Sequence, residues 1–248
     1  MTNFFEEKVV FITGGAKNLG RAMALEFVKR GAHVAVNART HTSDLDETLK
    51  MIEDLGGRAI ACVGDITNRV EVDDMVEKIK HEYHRIDVLI NNAVTHATQS
   101  FLDLDYAEWQ RTISVTLDGS FHCTQAIVPL MIESGGGSII NMGGMFGHMP
   151  VPNRSPSSAA KAGLAGLTRA LALEFAKYNI NVNYLAPGPA NTVRDPSKPF
   201  QFDLSRIPFG RFTEASEVVN MVMLLSGKEG RYITGQSMHV NGGVFMNN

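Results

Sequence analysis

Short runs of β-branched and aliphatic residues alternate along the chain with longer stretches whose apolar positions recur every three to four residues. The first run, Lys8–Thr13 (KVVFIT), has no alternation of polar and apolar positions, as expected of a strand covered on both faces. Leu19–Arg30 then reads as a helix with leucine, alanine and phenylalanine on one side. The same reading predicts strands at His33–Asn37, Ala59–Gly64, Ile86–Asn91, Ser138–Met142, Asn181–Leu185 and Ser237–Val240. It predicts helices at Asp44–Leu55, Val70–Tyr83, Tyr106–Glu133, Ser157–Tyr178 and Ala215–Ser226. Strands joined by helices imply right-handed crossovers, and so an α/β, doubly wound fold with a seven-stranded parallel sheet. No repeat of solenoid period and no Pro- or Ser-rich linker divides the pattern, so residues 1–248 are expected to form a single domain.

Composition narrows the field without choosing within it. At 248 residues and 44% hydrophobic the chain is long enough for a substantial core. Its 23 basic and 26 acidic side chains give a net charge of -3, which offers no field for nucleic acid. No stretch approaches the roughly 20 apolar residues of a membrane span. Met1–Lys8 is acidic where a signal peptide is basic and then apolar. Cys62 and Cys123 make neither a disulfide framework nor a metal-ligand spacing. A cytoplasmic protein is expected, with no metal and no nucleic-acid or membrane partner.

Chemistry begins right after the first strand, at Thr13-Gly-Gly-Ala-Lys-Asn-Leu-Gly20. A glycine-rich turn between a strand and a helix lets backbone approach a pyrophosphate at the positive helix end, the Rossmann-type arrangement. Gly14 and Gly20 supply two of its glycines. Asn18 stands where the middle one is usual, and asparagine is among the few other residues that visit left-handed backbone.

This turn resembles that of the short-chain dehydrogenase/reductase family, and further motifs match in order along nearly the whole chain. They are Asp65 after strand three, Asn91-Asn-Ala-Val94 (valine replacing the family's glycine), and Lys161 within Ala159-Ala-Lys-Ala-Gly163. Pro187-Gly188, Tyr232-Ile-Thr-Gly-Gln236 and Asn241-Gly-Gly243 complete the set. The resemblance implies a nicotinamide cofactor held by Gly14, Lys17, Asn18, Leu19, Gly20, Arg39, Asp65, Ile66, Asn92, Ala93, Lys161, Pro187 and Gly188. Strand two ends Val36-Asn37-Ala38-Arg39, without the carboxylate that bonds the NAD ribose, and Arg39 suits a phosphate instead. Lys17 stands where the family often places a second positive charge for that phosphate. NADP(H) is therefore the expected cofactor, although both residues also read as ordinary solvated surface charges.

The catalytic positions depart from the family. Its reductases use an asparagine on the long helix, a serine after strand five, and Tyr-x-x-x-Lys. Those positions carry Thr116, Gly144, Ser157 and Lys161 here, so only the lysine is kept. A serine hydroxyl is a far weaker acid than a phenol near 10, and Gly144 has no side chain to polarise a carbonyl. The segments Pro156–Gly163, Pro187-Gly-Pro189 and Ile207-Pro-Phe-Gly-Arg211 resemble the 2,4-dienoyl-CoA reductases, which also carry serine at the tyrosine position. In their mitochondrial form a tyrosine lies fifteen residues before the lysine, where this chain has Phe146.

His148 and His96 are the nearby side chains able to transfer a proton at neutral pH, and each also reads as an inconsequential surface histidine. Ser155, Ser157 and Ser158 read equally as caps on the helix that starts there. Met142, Met145, Phe146, Met149 and Val151 suit an apolar ligand, and 190–212 with Phe200 and Phe202 sits where the family has its substrate lid. The expected activity is NADPH-dependent hydride transfer to an activated C=C, C=N or C=O of an apolar small molecule. A lyase or cyclase, or a cofactor-binding pseudoenzyme, is the alternative. Small residues along Ala159–Leu173 let helices approach closely, and the resemblance implies a homotetramer through this helix and the one before it.

Overall fold

The computed structural model describes residues 4–95, 97–190 and 202–246. Seven strands form one sheet: β1 (Val9–Ile12), β2 (His33–Ala38), β3 (Ala59–Val63), β4 (Val88–Asn91), β5 (Gly137–Met142), β6 (Ile180–Pro187) and β7 (Ser237–Val240). Their order is β3-β2-β1-β4-β5-β6-β7 and every neighbouring pair is parallel. The expected doubly wound sheet is therefore present.

The uninterrupted apolar run of β1 is explained by its neighbours. Val10 and Ile12 enter one core layer with Met23 and Phe27 of α1 (Asn18–Lys29), while Val9 and Phe11 enter the other with Val76 and Ile79. Helix α2 (Ser43–Asp54) follows β2, and α3 (Arg69–Tyr83) supplies Val76 and Ile79. Helix α6 (Ser155–Phe175) follows β5, and α7 (Ala215–Ser226) covers the first layer beside α1.

One predicted helix is not continuous. Tyr106–Glu133 divides into α4 (Tyr106–Ile113), a π-helical segment Ser114–Asp118, and α5 (Gly119–Glu133). The Gly119 N–H reaches back to the Ser114 carbonyl, one residue further than an α-helix allows. Thr116 lies in the middle of this extra turn and is buried. A hydrophobic period of 3.6 carries no mark of one inserted residue, so the pattern reads straight through it.

A polar chain crosses the core behind the cleft. Asn91 and Asn141 are register partners on β4 and β5, and Asn91 Nδ2 donates to Asn141 Oδ1 at 2.8 Å. Asn91 Nδ2 also reaches Thr124 Oγ1 of α5 at 3.2 Å, and Asn141 Nδ2 donates to Thr168 Oγ1 of α6 at 2.9 Å. Thr168 passes its own proton to the Leu164 carbonyl at 2.8 Å, so two strands and the two helices packed on one face of them share one network.

Candidate active site

The chain winds outward from β1 through β2 to β3 and then crosses back to β4 on the other side of β1, and this reversal opens a crevice at the carboxyl ends of the strands. Thr13 stitches it together. Its Oγ1 accepts from the Asn92 and Ala93 backbone N–H groups at 2.9 and 3.0 Å, and Asn92 Nδ2 donates to the Thr13 and Gly14 carbonyls at 3.0 and 2.9 Å. Gly20 must lack a side chain, because a Cβ there would stand 2.3 Å from the Gly14 oxygen. Asn18 takes φ +50, the left-handed conformation expected of it. Helix α1 has neither a side-chain cap nor an acidic residue in its first turn, so its positive end faces the crevice unopposed.

The resulting cleft encloses about 660 Å³. It is lined by every residue expected to hold a dinucleotide, from Gly14, Lys17, Asn18, Leu19 and Gly20 through Arg39, Asp65, Ile66, Asn92 and Ala93 to Lys161, Pro187 and Gly188. Asn37 lies between the turn and β3, accepting from Gly14 N at 3.2 Å and donating to the Cys62 and Gly64 carbonyls at 3.0 and 2.9 Å. Asp65 is half-buried and oriented by Thr67, whose N–H and hydroxyl both donate to its Oδ1. Lys17 pairs with Asp44 at 3.1 Å, whereas Arg39 is exposed and makes no ion pair among the described residues.

At the other end stands Lys161, only 5% exposed. Its ammonium lies 5.5 Å from the centre of the Phe146 ring and has no hydrogen-bond or ion-pair partner among the described residues. Burial, and next the charge of Arg154, hold its pKa down to about 8. Arg154 packs over the same ring at 5.3 Å. Gly144, with φ +116, leaves open the space beside Lys161: a Cβ there would come within 3.0 Å of Nζ. The loop carrying it rests on Tyr184 of β6, whose hydroxyl donates to the Gly144 carbonyl at 3.0 Å. That ring fills the place of any side chain at Gly143, where a Cβ would lie 1.9 Å from Cζ.

The other expected catalytic residues are not brought to the cleft. Thr116 and Ser157 are buried, and neither lines it. The serines do not cap α6 either: the helix begins at Ser155 without a side-chain cap, and the hydroxyls of Ser155, Ser157 and Ser158 are buried without hydrogen-bond partners among the described residues. His148 follows a tight turn at Met145–Gly147 that points Met145 and Phe146 into the cleft and His148 away from it. It packs instead against Tyr184, His239 and Phe245, with ring centres 5.3, 4.9 and 5.7 Å away. Burial, followed by the charge of Arg169, lowers its pKa, which favours the neutral ring. His96 lies outside the described residues, as do positions 191–201 of the expected lid.

A family model described as short chain dehydrogenase matches residues 8–199. The chain belongs to the short-chain dehydrogenase family. It is 37% identical over 242 residues to the 3-oxoacyl-(acyl-carrier-protein) reductase FabG of Thermotoga maritima, covering 96% of this chain and 98% of the relative. A short chain dehydrogenase from Bacillus anthracis superposes with a TM-score of 0.89 at 36% identity, covering 98% of this chain and 99% of the other. Acetoin dehydrogenase YohF from Salmonella typhimurium does so with 0.88 at 31%, covering 97% of each. These relatives make the protein an oxidoreductase.

Against that family background, the residues that sequence reasoning missed are Arg111, Arg154 and Thr95, all lining the cleft. Arg111 is held by both oxygens of Glu108, at 2.8 and 2.6 Å, and donates to Thr95 Oγ1 at 2.5 Å. A charge five residues before the lysine motif's first alanine carries no mark of which way it points. Only the turn at 145–147, which brings Phe146 beneath it, reveals Arg154 as part of the site. Among the described residues no group of three potential ligands stands ready for a metal, and no helix is long and apolar enough to cross a membrane.

Proposed function

We propose that the protein is an NADPH-dependent reductase of a carbonyl or conjugated C=C, in which Lys161 takes over the proton-donating role of the absent tyrosine. One observation carries this reading. Among the described residues lining the cleft there is no tyrosine, serine or histidine, and Lys161 is the one group whose pKa lies near neutrality. The segments Pro156–Gly163 and Ile207–Arg211, which resemble reductases with serine at the tyrosine position, support this reading. Arg39 and Lys17 support NADP(H) over NAD(H), because both line the cleft on the side of the glycine turn where no ribose-binding carboxylate follows β2.

A bound reduced nicotinamide supplies a hydride to the substrate carbon. As that C–H bond forms, the π pair of the acceptor moves towards oxygen, and the Lys161 ammonium stabilises the growing negative charge. Lys161 then gives its proton, to oxygen in a ketone or through the enolate in a conjugated system, and regains one from water. A cationic imine is disfavoured, because it would enter beside the positive charges of Lys161 and Arg154. Gly144 leaves room for the substrate beside Nζ, and Met145, Phe146, Val94 and Val115 give the cleft apolar walls. The family resemblance supports assembly as a homotetramer through α5 and α6.

The test is NADPH consumption over a panel of ketones and enones, with its pH profile. Turnover should fall as pH rises through about 8, where Lys161 loses its proton, and Lys161→Met should abolish it. A profile that stays level across that range, or turnover retained in the variant, refutes the role given to Lys161.

A further inference from the structure

Lys161 is placed as a nucleophilic amine as well as a charge. Its side chain is buried in the cleft wall, yet no carboxylate, hydroxyl or carbonyl among the described residues accepts from Nζ. Of the charged side chains that share the cleft, Lys17, Arg39, Arg111 and Arg154 are cations, and the one carboxylate, Asp65, stands after β3 at the other end. The Phe146 ring, centred 5.5 Å away, covers the ammonium on one side. Beside it is a vacancy: the point where a Cβ on Gly144 would stand is 3.0 Å from Nζ and 3.8 Å from both Lys161 Cε and the Pro187 oxygen. Atoms poised to bond lie about 3–3.5 Å apart, so a carbonyl carbon entering that vacancy meets Nζ at reacting distance. Val94, Val115, Met145 and Phe146 line the same cleft, which suits a neutral aliphatic molecule. Burial, and next the charge of Arg154, hold the Lys161 pKa down to about 8. At about pH 7.5 roughly a quarter of the chains therefore carry the free amine, about 200 times the share of an ordinary lysine near 10.4.

We propose that Lys161 is a covalent capture site for small aliphatic aldehydes, which it holds through a reversible imine at Nζ. The amine lone pair attacks the carbonyl carbon, the C=O π pair moves to oxygen, and one N–H proton passes through water to that oxygen to give a carbinolamine. The nitrogen lone pair then forms C=N as the C–O bond breaks, and the second N–H proton leaves with the hydroxyl as water. The sum is one aldehyde and one amine giving one imine and one water, with no oxidant or reductant. A protonated imine carries the same single positive charge as the ammonium it replaces, so the charge of the cleft is unchanged. The captured molecule fills the vacancy left by Gly144, and no second carbonyl compound reaches Nζ while it is there. Aldehydes thereby suspend reduction; that consequence rests on the reading of Lys161 as proton donor, and the covalent step does not.

The experiment incubates the full chain, without added nucleotide, with propanal or hexanal from about pH 6.5 to about pH 9.5. Sodium borohydride then delivers a hydride to the imine carbon and water a proton to nitrogen, which fixes each adduct as a secondary amine for peptide mass spectrometry. At about pH 7.5 Lys161 should carry at least tenfold more label than the exposed Lys29 and Lys50. Its labelling should level off above about pH 8.5, while labelling of the surface lysines as a group goes on rising. Label on Lys161 at or below that on Lys29 and Lys50, or a curve that does not level, overturns the proposal, and neither result depends on a variant folding. Trapped protein should lose NADPH turnover in step with the label on Lys161. Full turnover by protein labelled there refutes the proton-donating role of Lys161 and leaves the capture site standing.

Discussion

Substituting Gly143 by alanine asks for space that Tyr184 already occupies. The added methyl would lie 1.9 to 2.1 Å from Cζ, the hydroxyl oxygen and Cε2 of that ring. Carbon atoms in contact sit about 3.5–4.0 Å apart, so one partner must move by roughly 1.5 Å. The ring cannot do so cheaply. Tyr184 is fully buried on β6, paired to β5 and β7, with its hydroxyl bonded to Gly144 and its edge against His148. Overpacking of this kind costs about 1–3 kcal/mol. Breaking the Tyr184–Gly144 hydrogen bond adds about 1 kcal/mol. Gly143→Ala is therefore expected to lose about 2–4 kcal/mol, a large share of a typical stability of about 5–15 kcal/mol. Urea unfolding followed by circular dichroism reads this directly. The decisive arm is the double variant with Tyr184→Val, which removes the obstructing ring. Its loss should fall short of the sum of the two single losses by more than about 1 kcal/mol, as for residues in direct contact. If Gly143→Ala unfolds within about 0.5 kcal/mol of the wild type, or the two losses simply add, the packing argument fails.

Arg39→Ala should weaken NADPH binding by about 10- to 100-fold, the worth of a charge-assisted bond of about 1.5–3 kcal/mol, and leave NADH binding unchanged. Fluorescence titration with both cofactors checks this, and equal affinities in the wild type would refute the assignment. Lys161 has a pKa of about 8 in the folded chain, below its ordinary 10.5. Between those values the unfolded chain binds a proton that the folded chain does not, so this residue makes stability rise with pH across that window. The difference in urea midpoint between wild type and Lys161→Met should accordingly shift in favour of the wild type from about pH 8 to about pH 10. Gly144→Ser, which installs the serine that the family resemblance implies after strand five, should not raise turnover of ketones. At φ +116 a side chain is strained, and its Cβ crowds Lys161 Nζ, so lower thermal stability with no gain in turnover is expected.

The sheet and the nucleotide end of the cleft were legible because each depends on short-range pattern. Val9–Ile12 reads as a strand buried on both faces whichever residues cover it, and Gly14, Asn18 and Gly20 are required by the turn they themselves form. The Lys161 end depends on direction, which pattern does not encode. Phe146 and His148 are two residues apart, yet a single tight turn sends one into the cleft and the other beneath the C-terminal segment. The same turn explains why Arg154 escaped notice. The π segment at Ser114–Asp118 was hidden for a different reason: one additional residue leaves the average apolar period intact and changes only the hydrogen-bond partner of Gly119. Tyr184 was hidden because its role is spatial, filling a gap created by a glycine 41 positions earlier in the chain.

The Asn91–Asn141 pair has a consequence for how the chain reaches its fold. The strands lie beside others that are also rich in aliphatic residues, and aliphatic side chains alone discriminate poorly between neighbouring alignments. A slip of one residue between β4 and β5 would turn an asparagine into the opposite apolar layer and strand its amide without Thr124 or Thr168. Each buried polar group so abandoned costs about 1–3 kcal/mol. The pair therefore acts as a proofreading mark at the centre of the sheet: a misaligned β4–β5 pairing carries a penalty that the correct alignment does not.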